Sequence, residues 1–556
     1  TLDSSFQGVG IDIIDMGTSW DIANKMTLLQ DGRILIAGRT GNIQTKLIVA
    51  RFTPSGVPDK TMQGNGKFTD YLRSYSGYNA LAIQKDGKII AGGYTLDVQA
   101  FDGSGNDVDI ALARYQINGQ LDNSFGNNGI QKRGLYNAYS GQASSIVIQN
   151  DGKFVVAGTA ATNEATGPAD FVILRYNKDG SLDTSFSSGL PFSEDPGDPY
   201  YNKGLFYIDF EGEAGDYATS VTLQPDGKII VSGISKNYDF SSKLALVRLL
   251  PGGSMDNSFG IGGKKTIPIF GNVDNAVSVS DGGGTFAIQT DKKILITEWT
   301  KLSVYVDSIP STEEKYLVGI IRLLSNGSVD SSFGNAGLQT LDFAQSIQAI
   351  MLQPDGRIVV TTGPGHTLAR LMRDGSLDTS FAHKGWITTT FPTASNEEFT
   401  NLVLQSDGKI IAGGTYKGAF ALARYNSNGT LDAAFGDKGL QISPTISSKG
   451  FPEADNQGSP LTAMQIKENR LYAAGWSLNK GDMMATLAAY NLAMGTFTYY
   501  RDVDRDGYGN SAKSIRSEKQ PWGYVLQAGD CNDNNATVYP GAPEICDGLD
   551  NNCNGV

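Results

Sequence analysis

Asp502, Asp504 and Asp506 alternate in YYRDVDRDGYGNS, directly before Gly507. Oxygen ligands at positions one, three and five, with glycine at six, open a twelve-residue calcium loop in which a backbone carbonyl, here that of Tyr508, serves at seven. The twelfth position, where such a loop carries a bidentate Glu, is Lys513. Coordination must therefore be completed from elsewhere. Two later stretches offer oxygens: GDCNDNN, with Asp530, Asn532, Asp533 and Asn534, and CDGLDNNCNG, with Asp547, Asp550, Asn551 and Asn554. Hard oxygen donors without His or Met favour Ca2+ over a transition metal. The competing reading is an acidic turn that binds nothing.

A second constellation recurs along the chain. Arg51, Arg114, Arg175, Arg248, Arg322, Arg370 and Arg424 each stand about eight residues before an Asp: Asp59, Asp122, Asp183, Asp256, Asp330, Asp378 and Asp432. A ring of cations for an anionic ligand is one reading. A structural Arg–Asp tie in each repeat is the stronger one, because a catalytic group is rarely needed seven times. An eighth unit has Ala489 at the matching place. His366 and His383, without a Cys or carboxylate motif, read as structural, and Trp20, Trp299, Trp386 and Trp476 as packing groups before sugar-stacking ones. FDGSGNDVD from Phe101 matches no established cation loop. No nucleophile elbow, phosphate loop or HExxH string occurs, so a non-enzymatic protein is expected.

These residues must be positioned by repeats. A string Q-x-D-G-K followed by an apolar run and Gly places its Asp at Asp31, Asp86, Asp151, Asp226, Asp291, Asp355 and Asp407, with a worn copy from Gln465. Asp-Gly between apolar runs reads as a hairpin turn. A second string, L-D-x-S-F, follows a third strand in each unit and leads to a fourth. Four strands in about 60 residues make one propeller blade. The second string also has a copy at the N-terminus, with Asp3, while the last hairpin has none after it. The leftover halves match, which predicts an all-β, eight-bladed β-propeller (alternatively seven-bladed) closed by an N-terminal strand clasp. The expected domains are a propeller over 1–497 and a small loop-rich module over 498–556. Insertions at about 95–108, 159–170, 187–208, 299–315 and 442–460 are where recognition is expected.

The formal net charge of -13 argues against nucleic acid as a partner. No apolar run is long enough to span a membrane. All three cysteines lie in the last 26 residues, which suits an oxidising, extracellular compartment. The absence of an initial Met suggests a trimmed chain, and a longer natural protein is expected.

The paired D-G-K and L-D-x-S-F strings resemble the delta-60 repeat family of bacterial surface proteins, over nearly all of 1–495. That resemblance implies a fold more than an activity. The tail from Asp502 to Gly555 is similar to a metal-binding repeat of bacterial surface proteins and of a copper protein of methanotroph outer surfaces. It also resembles thrombospondin type 3 repeats. The first of these repeats usually carries a fourth Cys before P-x-G-Y-V, absent here before PWGYV. The resemblance then implies a Cys546–Cys553 disulfide and leaves Cys531 without an obvious partner. It further implies a cell-surface location, with export by type 9 secretion as in Bacteroidota. The expected role is a scaffold or adhesion protein whose partners are surface proteins, secretion-machinery proteins or surface glycans. The alternative is a lectin or carbohydrate-active enzyme.

Overall fold

The computed structural model describes residues 2–16, 20–41, 46–70, 76–97, 107–133, 138–162, 168–186, 204–210, 214–238, 242–268, 276–306, 309–392, 397–443, 461–479, 482–492, 497–517, 521–525, 527–540, 542, 544–545 and 547–555. The chain divides into two compact units, Thr1–Asn491 and Leu492–Val556. Among the described residues every helix-length element is a strand. The predicted insertion at 95–108 falls largely outside them, as do most of 187–208 and 442–460, the segment from Phe101, and Cys546.

The D-G-K string folds as a tight hairpin turn. Gln84 N–H donates to Lys88 O (2.8 Å), Gly87 N–H donates to Gln84 O (2.9 Å), and the Asp86 carboxylate accepts Lys88 N–H at 3.2 Å. Gly87 has φ +83°, a conformation that side chains with a Cβ resist. The turn joins Ser76–Ile83 to Ile89–Asp97, which pairs with Asp107–Tyr115, which pairs with Ile130–Arg133. The Gly closing each apolar run has a different cause. The register slips between Tyr78 and Ala80, and a Cβ on Gly93 would collide with Gly77 O across that irregularity. The same slip faces Gly38, Gly158, Gly233 and Gly414.

The four-stranded antiparallel unit recurs throughout the first compact unit, which is β-propeller-like. Two successive copies merge into one eight-stranded sheet through a single bridge, Ser140 to Val108. One sheet is composite: Ile11–Ile14 pairs with Asp482–Asn491, which pairs with Arg470–Asn479 and, beyond it, Leu461–Lys467. The stretch 299–315 departs from the expected irregular insertion. Ile294–Val306 and Ile309–Leu323 instead extend one hairpin to 13 and 15 residues.

The core lies between sheets. Val155, Phe171 and Ile173 of one sheet pack on Val221, Val231 and Val247 of the next. Phe6, Ile14, Leu487 and Ala489 pack on Ile34, Ile36 and Ile48 in the same manner. Aliphatic side chains removed from water between sheets stabilise the stack by about 25 cal/mol per Å².

Candidate metal centre

In the repeats, the Arg–Asp pairs are closed on themselves. Arg114 Nε donates to Asp122 Oδ2 at 2.7 Å, Arg175 Nε to Asp183 Oδ2 at 2.6 Å, and Arg424 meets Asp432 at 2.8 Å. The cation of the D-G-K turn adds a second charge on the same oxygen: Lys88 at 3.0 Å from Asp122, Lys153 at 2.7 Å from Asp183, Lys409 at 3.1 Å from Asp432. In the composite sheet, where Ala489 replaces the Arg, only the turn cation remains. Arg470 reaches Asp3 at 2.6 Å.

The same arginines bind the neighbouring sheet. Arg175 donates to Pro251 O and Gly252 O, both at 2.9 Å, and Arg114, Arg248, Arg322 and Arg370 donate to Lys178 O, Ser325 O, Arg373 O and Ser427 O. The guanidinium of Arg248 lies over the Phe259 ring at 4.5 Å. That ring fits beneath Gly327 of the next sheet, where a Cβ would come within 2.8 Å. Phe6 stands in the same way beneath Gly56. The bonds these arginines make run to their own Asp and to backbone carbonyls of the neighbouring sheet, the arrangement expected of structural ties.

His366 is buried against Phe391 and Phe399, with Nε2 2.7 Å from Thr415 O; burial lowers its pKa. His383 is exposed in a turn with φ +64°. Trp386 stacks on Phe343 and Trp299 packs in the same core, but Trp20 is 40% exposed, unlike a packing residue.

The second unit positions its carboxylates differently. Strand Phe497–Arg501 delivers the chain to Asp502, and Gly507 (φ +94°) turns it into strand Tyr508–Ser517. Lys513 is therefore an exposed strand residue, far in kind from a twelfth ligand. Strand Gln527–Asp530 runs parallel to Tyr508–Ser517 and brings Asp530 beside Asn510. The loop is held by its own backbone: Asp502 accepts Arg505 N–H (2.6 Å) and Gly507 N–H (3.3 Å), and Asp506 accepts Tyr508 N–H (2.8 Å). Asp533 accepts Val503 N–H (2.8 Å), which ties the later stretch to the loop.

Asp502, Asp504 and Asp506 present oxygens within 4.8 Å of one another. Both oxygens of Asp504 and one each of Asp506, Asp530 and Asp533 are buried without a hydrogen-bond partner. Among the described residues none of these five carboxylates makes an ion pair. Burial raises the pKa of Asp506, reinforced by Asp504, Asp502 and Asp533. Burial likewise raises Asp530, reinforced by Asp506, Asp504 and Asp533. Buried, unpaired, like-charged oxygens are the expected state of a cation site before its cation.

The remaining predicted ligands make other contacts. The ring of Tyr508 stacks on Tyr539 at 5.5 Å, a contact that does not involve the carbonyl expected to serve as ligand. Asn532 donates its N–H to Asp530, and its carbonyl caps the turn to Asn534. Asp547 accepts from Leu549 N–H and the Asn551 amide, and Asp550 accepts Asn554 N–H and Gly555 N–H. These shape the final turns and are not gathered with Asp504.

The disulfide is Cys531–Cys553, with Cα atoms 5.7 Å apart. It replaces the expected Cys546–Cys553 pairing. The end of strand Gln527–Asp530 lies against the final turn, where Cys553 N–H donates to Asp550 O, and this sets the two cysteines at bonding distance. With both sulfurs oxidised, neither serves as a thiolate ligand.

Seven stretches match a family described as "Domain of unknown function (DUF5122) beta-propeller": residues 29–61, 84–125, 149–186, 224–259, 316–333, 353–381 and 405–435. Residues 530–556 match the Cu-binding_MopE family, described as "Putative metal-binding motif". No curated protein matches the chain. Among solved structures it is similar to polysaccharide lyase Uly1 (10% identity, 84% of this chain and 90% of that one, TM-score 0.41). It is also similar to an ulvan lyase of family PL25 (10% identity, 74% and 90%, TM-score 0.35). The extracellular region of plexin A4 is a third (10% identity, 91% and 51%, TM-score 0.38). At these scores the three neighbours carry no inference about function.

Proposed function

We propose that this chain is a secreted or cell-surface binding scaffold without catalytic activity, in which a closed eight-bladed ring presents loops and the C-terminal module takes Ca2+. The observation that carries the calcium reading is the set of partnerless buried oxygens on Asp504, Asp506, Asp530 and Asp533 around Asp502. Calcium is favoured over the copper of the matched family's name because every gathered donor is a hard carboxylate oxygen, and two of the three cysteines are joined. Bound there, the ion would neutralise mutual repulsion and fix the loop against the strand that ends at Asp530.

Ring closure is supported by three features of the chain ends. Ile11–Ile14 completes the sheet of Asp482–Asn491, Arg470 pairs with Asp3, and Phe6 sits beneath Gly56 as later Phe residues sit beneath later glycines. Closure removes exposed sheet edges, and a rigid ring suits a loop-presenting platform. Its partners are surface or secretion-machinery proteins or surface glycans. The glycan option has one specific support, the exposed Trp20.

Calcium titration by calorimetry tests the module, with limited proteolysis in calcium and in chelator. Protection of residues 502–555 by calcium is expected. Equal cleavage in both conditions overturns the calcium assignment. A glycan array with Trp20→Ala as control tests the glycan partner.

A further inference from the structure

A second set of groups gathers in the C-terminal module, on the outside of the loop that holds the carboxylates. Between residues 501 and 517 the charges are sorted by sign. Asp502 is buried and Asp504 and Asp506 are half-buried in the loop, whereas Arg501, Arg505, Lys513 and Arg516 are all exposed. Among the described residues none of these four cations makes an ion pair. The repeat arginines, by contrast, are each closed on an Asp of their own.

Trp522 stands beside this surface and is 88% exposed. The Arg505 guanidinium lies 5.6 Å from the centre of its ring, within cation–π reach. The indole face turned away from Arg505 is open to solvent.

One exposed aromatic side chain means little by itself, so the deciding observation is how the pair is held. Both members are anchored on Asp502, the first residue of the loop. Asp502 N–H donates to the carbonyl of Gly523, next to Trp522, at 3.0 Å, and its carboxylate accepts Arg505 N–H at 2.6 Å. Tyr524 N–H donates to Pro521 O at 3.2 Å and closes the turn that carries Trp522. Arg505 itself has φ +67°, a left-handed backbone that a residue with a Cβ adopts only when its surroundings impose it. The cation loop and the Arg505–Trp522 pair are thus built on one residue.

The chemistry of the pair is specific. An open indole face stacks on the C–H face of a pyranose ring, and a guanidinium beside it takes a sulfate or carboxylate of that ring through paired N–H bonds. Arg501, Lys513 and Arg516 add positive charge along the same hairpin, which suits a polymer with repeated anions. The carboxylates of Asp502, Asp504, Asp506, Asp530 and Asp533 oppose that charge. A cation among them would offset part of the opposition and, through Asp502, fix both halves of the pair.

We propose that Arg505 and Trp522 form a calcium-dependent binding surface for an anionic polysaccharide, a reading that rests on the calcium assignment of the module. A polysaccharide is favoured over an acidic peptide because the open aromatic ring gives a sugar a stacking surface and gives an Asp or Glu side chain nothing.

The test uses the full chain on immobilised dextran sulfate and on neutral dextran, which differ only in the sulfates, in calcium and in chelator. The wild type is expected to bind dextran sulfate in calcium alone, and neutral dextran in neither condition. Trp522→Ala and Arg505→Gln are each expected to weaken that binding about tenfold and to leave the heat of calcium binding unchanged. Both side chains are exposed, so neither substitution disturbs the fold, checked by circular dichroism. Lys178→Ala removes an exposed cation of the first unit and is expected to bind as the wild type does, which separates a defined surface from general attraction between charges. The proposal is overturned if the wild type fails to bind in calcium, binds equally in chelator, or binds no better than Trp522→Ala or Arg505→Gln. It is also overturned if soluble poly-L-glutamate competes as well as dextran sulfate, since an acidic peptide is then the ligand. Failure of the calcium assignment shows separately, as the absence of any heat of calcium binding in the wild type.

Discussion

Aspartate does opposite work in the two units. Asp122 is buried, which alone would raise its pKa, but hydrogen bonds from Ser124 and Lys88 and the charge of Arg114 hold it well below the usual carboxylate range. Asp506 is only partly buried, yet that burial raises its pKa, and its neighbours Asp504, Asp502 and Asp533 add to the rise. The repeat carries its countercharge in its own sequence, one third-strand Arg and one turn Lys or Arg for each Asp outside the composite sheet. The module leaves its countercharge to be supplied. A blade is therefore complete on folding, whereas the module as proposed is completed by a cation.

The sharpest way to break this contrast is to withdraw the cation. Chelator should make residues 502–555 protease-sensitive while Thr1–Asn491 stays resistant, and Asp504→Asn should weaken calcium binding roughly tenfold or more. If both units respond alike, the contrast fails. Next in size is removal of a built-in countercharge. Arg248→Ala should cost about 3 kcal/mol in denaturant unfolding, because it leaves buried Asp256 with Lys228 as its one remaining cation and strips the bond to Ser325. Arg470→Ala removes the one cation on buried Asp3, although Arg470 itself is only partly buried, and should cost about 1–3 kcal/mol. Equal losses at the two sites would mean that the third-strand arginine adds nothing that a single turn cation does not supply, since Arg470 also reaches the neighbouring sheet at Pro54 O.

Much of the blade was legible because its signals are local and repeated. The D-G-K turn, the third-strand Arg and its Asp eight residues on all lie within one unit. Contacts between units were not read, although the Phe259–Gly327 arrangement recurs in most copies, with Met62 in place of the Phe beneath Gly119, and could have suggested a latch. Their partners lie on different sheets, so no local period links them. In the module, alternation marked Asp502, Asp504 and Asp506, and the parallel strand ending at Asp530 selected two of the later candidates. Asp547 and Asp550 looked equivalent in sequence but are consumed by backbone N–H groups of their own turns. Three cysteines allow three pairings, and only the placement of strand Gln527–Asp530 decides among them.

A smaller effect separates covalent from ionic closure of the module. Cys531→Ser opens a cross-link between residues 22 apart and should cost about 3 kcal/mol in chelator. With calcium present the protease sensitivity should be largely rescued, because the ion joins the same strand end to the loop. An equal loss with and without calcium would mean that the two ties do not share a segment.

The smallest effect, and the most discriminating in sign, is the response to acid. Asp59 and Asp183 are held down to about 2, despite burial, by hydrogen bonds from Thr61 and Arg33 and from Lys153 and Ser185. A depressed carboxyl contributes stability above its unfolded value, near 4, that is lost as pH falls from there towards 2. Asp506 and Asp530 are raised, so in chelator the reverse holds. Their protonation favours the folded module at low pH, and that contribution disappears as pH rises through their folded values. Lowering pH from 7 to about 4.5 in chelator should thus make the module more protease-resistant. With calcium bound the module's trend should invert, since protons then compete with the ion for the same oxygens. One pH series, run with and without calcium, reads the sign for both units. The contrast fails if the module's slope is the same in both conditions.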